Sequence, residues 1–136
     1  MSNLERTLSI IKPDAVERNL GNEIKNQFTS NGFTIEKEKK IKLTKTEAEE
    51  FYKVHQTKPF YNDLCSYLSS GPIVVMILEK EDAILGNRKI MGATDPKKAD
   101  EGTIRKKFGI SIDKNSVHGS DSIENAKIEI NFFFKD

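Results

Sequence analysis

Apolar positions along the chain alternate between strand-like and helix-like spacings. The apolar run at residues 8–11 is short and predicts a buried strand. Leu20, Ile24 and Phe28 recur at helical spacing, which predicts a helix that stops at Gly32. The chain is therefore expected to open with a strand followed by a helix.

The next segment reads as a weaker strand followed by a capped helix. Residues 33–43 alternate imperfectly and predict a strand that is exposed on one side. Thr44 and Glu47 have the spacing of a capping box, in which each side chain binds the backbone N–H of the other residue. We expect the helix that begins there to present Tyr52 and His55 on one face.

The strongest strand in the pattern is the apolar run at residues 73–78. Because its apolar character is continuous, burial on both faces is predicted. Helices are predicted on either side of it, over residues 60–68 and 83–91. The polar stretch 92–114 is predicted to be mostly loop, with a short helical turn at 103–107.

A short strand and a last helix complete the pattern. Asp121 and Glu124 resemble a second capping pair, which places the start of that helix. Its buried face is predicted to consist of Ile123, Ala126, Ile130, Phe133 and Phe134. The order of elements favours an α+β fold, an α/β sandwich with helices over a small sheet. One domain over residues 1–136 is expected.

Composition and charge exclude several classes of protein. Of the 136 residues, 36% are hydrophobic and 32% charged, as in globular proteins. The net charge of +1 provides no global field for a polyanion. Cys65 is the only cysteine, so no intrachain disulfide is possible, and we expect a buried thiol in a reducing compartment. No secretory signal or membrane span is found, and a cytoplasmic location is predicted.

The segment Asn115–Ser122 (NSVHGSDS) carries the most informative chemistry. It places His118 before a predicted helix, whose free N–H groups suit an anion, and Gly119 would let backbone approach a ligand. A neutral imidazole is a competent nucleophile when its other nitrogen is held. Glu129, two helical turns beyond Asp121, is placed to hold it. The ordinary alternative is a capping or structural histidine.

Other candidate residues are ambiguous when each is taken alone. Lys12 follows the first strand, where ligands often bind, but it also fits a surface turn. Arg88 and Arg105 have the planar forks that bind phosphate, but most such arginines are solvated. Phe60 suits base stacking or core packing. Motifs of P-loop enzymes and protein kinases are absent, and so is the ligand spacing of a structural zinc site.

Taken together, these segments resemble the nucleoside diphosphate kinase family over essentially the whole chain. The matching motifs are IKPD at 11–14, AEEFYKVH at 48–55, Pro59-Phe60, SGP at 70–72, GAT at 92–94, GTIR at 102–105 and NSVHGSDS at 115–122. Seven motifs in the family's order are highly specific. The resemblance implies a ferredoxin-like βαββαβ fold, in which helices cover a four-stranded antiparallel sheet. It also implies transfer of a terminal phosphate from a nucleoside triphosphate to a diphosphate.

The resemblance also assigns roles to individual residues. His118 matches the histidine that is phosphorylated, Glu129 matches the carboxylate that orients its ring, and Ser120 lies beside them. Tyr52 matches a tyrosine that lines the phosphate site. Residues that match nucleotide contacts are His55, Arg88, Thr94 and Arg105 for the phosphates, Lys12 and Asn115 for the sugar, and Phe60 and Ile112 for the base, with Leu64 nearby.

Cofactor and assembly are likewise implied by the family. Mg²⁺ is expected to be bound mainly by the nucleotide phosphates, with Asp121 at most an indirect ligand. A homo-oligomer is expected, with a hexamer favoured over a tetramer. Departures from the family pattern and the lack of a longer C-terminal arm put the stability of this oligomer in doubt. The departures are Lys58, Tyr61, Asp95, Glu101 and Lys106-Lys107. A regulatory module that binds nucleotides or nucleic acid without catalysis is the alternative function.

Overall fold

A four-stranded antiparallel sheet organises the molecule in the computed structural model, which describes residues 4–112 and 114–134. Its strands are β1 (Leu4–Ile11), β2 (Thr34–Ile41), β3 (Ile73–Glu81) and β4 (Val117–Gly119). They lie in the order β2-β3-β1-β4, and each neighbouring pair is antiparallel. This order and the helical connections confirm the predicted ferredoxin-like fold.

Seven α-helices connect or follow these strands in the described residues. They are α1 (Pro13–Glu17), α2 (Gly21–Ser30), α3 (Lys45–Phe51), α4 (Tyr61–Leu68), α5 (Ala83–Met91), α6 (Ile104–Phe108) and α7 (Ile123–Phe133). Two 3₁₀ turns, Lys53–His55 and Pro96–Lys98, lie between them. The pattern did not predict α1, because five residues are too few to show a helical period.

Two apolar layers, one on each face of the sheet, form the core. On one face α2 and α5 pack over β1 and β3, with Phe28, Met76 and Leu78 fully buried. On the other face α3, α4 and α7 surround Leu8 and Ile10. Both faces of β3 are therefore buried over residues 73–78, as predicted. Cys65 is buried as well.

Strand β2 departs from its prediction, because it is exposed at most positions rather than on one side only. It lies at the edge of the sheet, where only β3 pairs with it among the described residues. A bulge between Ile35 and Lys37 also interrupts its alternation. An edge strand beyond the main helices has little to bury its side chains.

The start of α7 was also predicted wrongly. Ser122, not Asp121, caps the helix, because its side chain accepts a hydrogen bond from the backbone N–H of Asn125 at 3.1 Å. Asp121 instead accepts one from the Asn125 side chain at 2.6 Å. Ile123, predicted to be buried, is 51% exposed. Helical side chains lean toward the N-terminus, so that of the first residue extends past the helix end.

Helix α3 confirms the predicted capping box but ends earlier than the pattern suggested. The backbone N–H of Thr44 donates to the Glu47 carboxylate at 2.9 Å, and that of Glu47 donates to the Thr44 hydroxyl at 3.1 Å. The helix ends at Phe51, so His55 lies in the following 3₁₀ turn. None of the helices in the described ranges is both long and apolar enough to cross a membrane.

Replacing Thr44 with alanine tests this cap. Thr44→Ala removes the acceptor for the Glu47 N–H, so we expect a loss of about 1 kcal/mol in the free energy of unfolding. Thr46→Ala, an exposed change inside the same helix, is the control, and it should be neutral or stabilise by a few tenths of a kcal/mol. Urea unfolding at one fixed protein concentration measures both variants. Equal effects would contradict the cap.

Candidate active site

His118 lies in the middle of β4, and it faces the opposite side of the sheet from its two neighbours in the strand. The next residue, Gly119, faces α5 so closely that a Cβ there would lie 2.3 Å from Asn87 Nδ2. The absence of a side chain at Gly119 is therefore required by the close approach of α5, and the approach of a ligand to its backbone remains a prediction. Because side chains alternate along a strand, His118 points to the other face, toward α3 and α7.

One hydrogen bond fixes the chemistry of the His118 ring. Its Nε2 lies 3.1 Å from Glu129 Oε1 on α7, and the Ser120 hydroxyl donates to the same oxygen at 2.8 Å. An ionised carboxylate only accepts hydrogen bonds, so Nε2 carries the proton and Nδ1 keeps its lone pair. The predicted contact between His118 and Glu129 is therefore present. Ser120 is itself held, because its hydroxyl accepts from the Leu8 N–H at 3.2 Å.

Aromatic packing restrains the same ring from the α3 side. Phe51 meets His118 edge to face, with ring centroids 5.5 Å apart, and Tyr52 in turn meets Phe51 edge to face at 5.0 Å. Burial, and then the nearby Glu129 charge, raise the pKa of Tyr52, so its phenol stays neutral. Sequence reasoning missed Phe51; its position within the matching motif AEEFYKVH was the available signal.

Arg105 braces the strand that carries His118. Its guanidinium donates to the carbonyl of Val117 at 2.9 Å and to that of Gly92 at 3.0 Å. Its Nε is buried and has no hydrogen-bond partner among the described residues. Burial, and then repulsion from Arg88, lower the pKa of Arg105 to about 10, so the group remains a cation at neutral pH. A buried cation next to another cation favours an anion.

A cavity of about 650 Å³ lies beside these two arginines. Arg88, Thr94 and Arg105 line it together, as the phosphate-binding prediction requires. Lys89 and Lys98 also line it. The local excess of positive charge contrasts with the overall net charge of +1 and makes this cavity a candidate polyphosphate site.

His55 lies next to the site in a different charge state from the arginines. Burial, followed by repulsion from Lys58 and His118, lowers its pKa, and Asp121 only partly opposes this. A neutral His55 offers a hydrogen bond rather than a full positive charge. Its Nδ1 is a buried atom that no described residue bonds. Contact with a phosphate remains a prediction for this residue.

Lys12 and Asn115 meet at the end of β1. The Lys12 ammonium, on a side chain only 6% exposed, donates to the Asn115 side-chain oxygen at 3.0 Å. The Asn115 amide in turn donates to the carbonyl of Thr94 at 3.1 Å. The chain Lys12–Asn115–Thr94 thus connects the two predicted sugar contacts to the rim of the cavity.

The predicted base-binding residues differ in exposure. Phe60 is 46% exposed and Ile112 is 55% exposed, so both present apolar surface to solvent. Leu64 is half-buried and packs against the core between α3 and α4. The ring of Phe60 lies 6.0 Å from that of His55, which places it on the His118 side of the molecule. Phe60 therefore has an exposed ring face, whereas the Leu64 side chain packs mostly against the core.

Metal ligands are not clustered in the described part of the chain. No group of three or more His, Cys, Asp and Glu side chains is arranged there to hold a metal ion. Asp121, the expected indirect ligand, is exposed and already accepts a hydrogen bond from Asn125.

Known proteins closely match both this sequence and this fold. A family model described as Nucleoside diphosphate kinase matches residues 5–136. Relatives named nucleoside diphosphate kinase from Campylobacter concisus and Campylobacter curvus are 59% and 58% identical over 131 residues, or 96% of this chain and 96% of each relative. The solved Aquifex aeolicus nucleoside diphosphate kinase is 44% identical, with a TM-score of 0.95 over 97% of this chain and 96% of that one.

Replacing Glu129 with glutamine tests how the His118 tautomer is fixed. A glutamine amide both donates and accepts, so Glu129→Gln should convert the single Nε2-protonated form into a mixture of tautomers. Nitrogen NMR shifts of the imidazole report the two forms directly. Glu124→Gln, an exposed change on the same helix, is the control and should leave the spectrum unchanged. A single unchanged tautomer in Glu129→Gln would rule out this role.

Proposed function

Because the chain belongs to the nucleoside diphosphate kinase family, an enzyme family that transfers phosphate between nucleotides, we propose that its phosphate transfer passes through a phosphohistidine on His118. The observation that carries this proposal is the hydrogen bond from His118 Nε2 to Glu129, which leaves Nδ1 with a lone pair. A single nucleophile that serves donor and acceptor in turn gives ping-pong kinetics.

The reaction follows from the geometry of that ring. The Nδ1 lone pair forms a bond to the terminal phosphorus of a nucleoside triphosphate as the bond to the bridging oxygen breaks, and the diphosphate leaves. The imidazole becomes positively charged, and Glu129 stabilises it through the Nε2 proton. A terminal oxygen of a second diphosphate then attacks the same phosphorus and releases neutral His118. Ser120 holds the carboxylate in place throughout.

Cations around the cavity are proposed to stabilise the charge on the transferring group. Phosphoryl transfer has a loose transition state with charge spread over the equatorial oxygens, so catalysis depends on positioning and on electrostatics. Arg88 and Arg105 supply fixed positive charge, and Thr94 lines the same cavity. His55 and Tyr52 are proposed to add hydrogen bonds to the phosphates.

The nucleoside is proposed to lie between the exposed apolar residues and the Lys12–Asn115 pair. Phe60 and Ile112 would sandwich the base, with Leu64 behind them, while Lys12 and Asn115 bind the sugar hydroxyls. Stacking uses the π-face that every base has, so the site should discriminate poorly among bases. This supports a broad range of nucleoside triphosphate and diphosphate substrates.

Nucleoside diphosphate kinases need a divalent cation, and we propose that Mg²⁺ is the ion used here. The side chains at the site suit an ion that arrives with the nucleotide, because the Asp121 carboxylate is exposed to water and the Glu129 carboxylate is already bound to His118 and Ser120. Asp121 would hold the ion through a water molecule. When bound, Mg²⁺ neutralises charge on the phosphates.

Assembly and location are proposals as well. We propose that residues 1–136 form one kinase domain, in the cytoplasm, as its single buried cysteine suits. A homo-oligomer, hexamer before tetramer, is proposed from the family resemblance. Light scattering at several protein concentrations would determine the state.

Removal of His118 tests the covalent route. Wild-type protein incubated with labelled ATP should carry acid-labile, base-stable phosphate, and His118→Ala should carry none, with turnover reduced at least about 10³-fold. His55→Ala removes the only other histidine and should still accept the label at saturating ATP. Label on His118→Ala, or wild-type turnover, would overturn the proposal.

Replacing Phe60 with alanine, Phe60→Ala, tests the base site. Loss of one stacking face, a contact worth about 1–3 kcal/mol, should raise KM by roughly tenfold for purine and pyrimidine diphosphates alike. Ile128→Ala removes another exposed apolar side chain, on α7, and should leave KM unchanged. A loss confined to one base would show that Phe60 reads base identity instead.

A further inference from the structure

The carboxylate of Asp14, in α1, is the centre of a buried hydrogen-bond network. Its side chain is only 4% exposed. It accepts hydrogen bonds from the Tyr67 hydroxyl, from the Ser116 hydroxyl at 3.0 Å and from Arg18 at 3.1 Å. These partners come from α4, from the segment before β4 and from Arg18, which directly follows α1. Asp14 therefore joins three separate parts of the chain.

Ser116 needs such support because its backbone is strained. Its φ of +75° lies in the left-handed region, which non-glycine residues rarely adopt. The Ser116 carbonyl accepts from the Lys12 N–H at 2.8 Å, while its hydroxyl donates to Asp14. Ser116 directly follows Asn115 and precedes His118 by two residues. Its conformation therefore sets how segment 108–116, which carries Ile112 and Asn115, enters β4.

Arg18 contacts both ends of that segment. Its Nη2 donates to the carbonyl of Phe108 at 2.6 Å and to the hydroxyl of Ser116 at 3.3 Å. Its Nε donates to the carbonyl of Asp14 at 3.0 Å, which fixes the guanidinium from behind. The segment between, described at residues 108–112 and 114–116, carries Ile112 and Asn115.

Building on the function proposed above, we propose that Arg18 is a positioning residue that clamps the two ends of segment 108–116 and so sets the affinity for the nucleoside. Holding both ends of a loop lowers the entropy that is lost when its side chains order around a ligand. In the part of the chain that the structure describes, the hydrogen bonds of Arg18 go to Asp14, Phe108 and Ser116 and not to His118, Arg88 or Arg105. Its loss should weaken nucleotide binding and leave the reactivity of His118 intact.

The alternative is that Arg18 and Asp14 form an ordinary surface ion pair with no effect on nucleotide binding. Exposed pairs four residues apart contribute little to stability or function. Here the Arg18 side chain is 38% exposed but its partner carboxylate is buried, and the same guanidinium also binds two groups far along the chain. The Arg6–Glu36 pair, exposed on both sides, is a matched reference because, among the residues that the structure describes, Arg6 donates to Glu36 alone.

Kinetics with two phosphate donors test the clamp. Arg18→Met should raise KM for nucleoside diphosphates about tenfold and change kcat less than about twofold. Phosphoramidate, a small donor to histidine that has no nucleoside, should label His118 at the wild-type rate in this variant. Arg6→Met should match wild type in KM, in kcat and in the rate of labelling by phosphoramidate. An unchanged KM, or an equal loss with phosphoramidate and ATP, would overturn the proposal.

Two further measurements separate the clamp from general damage and from a charge effect. Amide hydrogen exchange in peptides spanning 108–116 should accelerate at least about fivefold in Arg18→Met, while that of β1 and β3 stays unchanged. Uniform acceleration, or none, contradicts the clamp.

Arg18→Lys keeps the positive charge but lacks the planar guanidinium that reaches both ends of the segment, so its KM should also rise. A wild-type KM in Arg18→Lys would assign the effect to charge alone.

The same assay distinguishes failure of the clamp from failure of the proposed function. If wild-type protein takes no label on His118 from either donor, the phosphohistidine route is wrong. If wild type is labelled and Arg18→Met behaves like it throughout, only the clamp is wrong.

Discussion

The hydrogen bond between His118 and Glu129 is the constraint on which the rest of the site depends. It decides which imidazole nitrogen carries a proton, and so which one can form a bond to phosphorus. The two residues belong to β4 and α7, eleven positions apart. Ser120 binds the same carboxylate oxygen and is tied to β1 through the Leu8 N–H. The nucleophile is thus oriented by the sheet and the last helix together.

Strand β4 is short, but both of its faces and both of its ends are held. Gly119 allows α5 to press against the back of the strand, where any side chain would collide with Asn87. Arg105 binds the carbonyl of Val117, directly before His118. A displacement of β4 would therefore move His118 and the Arg105 guanidinium that binds the strand together.

Local pattern and motif resemblance predicted most of the fold, and the motifs indicated His118 and Glu129, which the structure places in contact. The apolar run of β3, the spacing in α2 and the Thr44 capping box are local signals, and the structure confirms each. The start of α7 was missed because Asp121 and Ser122 are both good caps and lie side by side. The Arg18–Ser116 contact joins residues 98 positions apart, so no periodicity in the sequence could reveal it.

In the function proposed above, the charges around the cavity would favour the transition state over tight binding of the substrate. Arg105 is buried beside Arg88, and both effects destabilise its cation in the free protein. A polyphosphate bound there would relieve that repulsion, most strongly where its negative charge is concentrated between the fixed cations. During transfer, charge shifts onto the bridging oxygen and the equatorial oxygens, toward groups already oriented to meet it. A neutral His55 would add a hydrogen bond to the phosphates without adding another positive charge, so part of the stabilisation would appear only as the bond breaks.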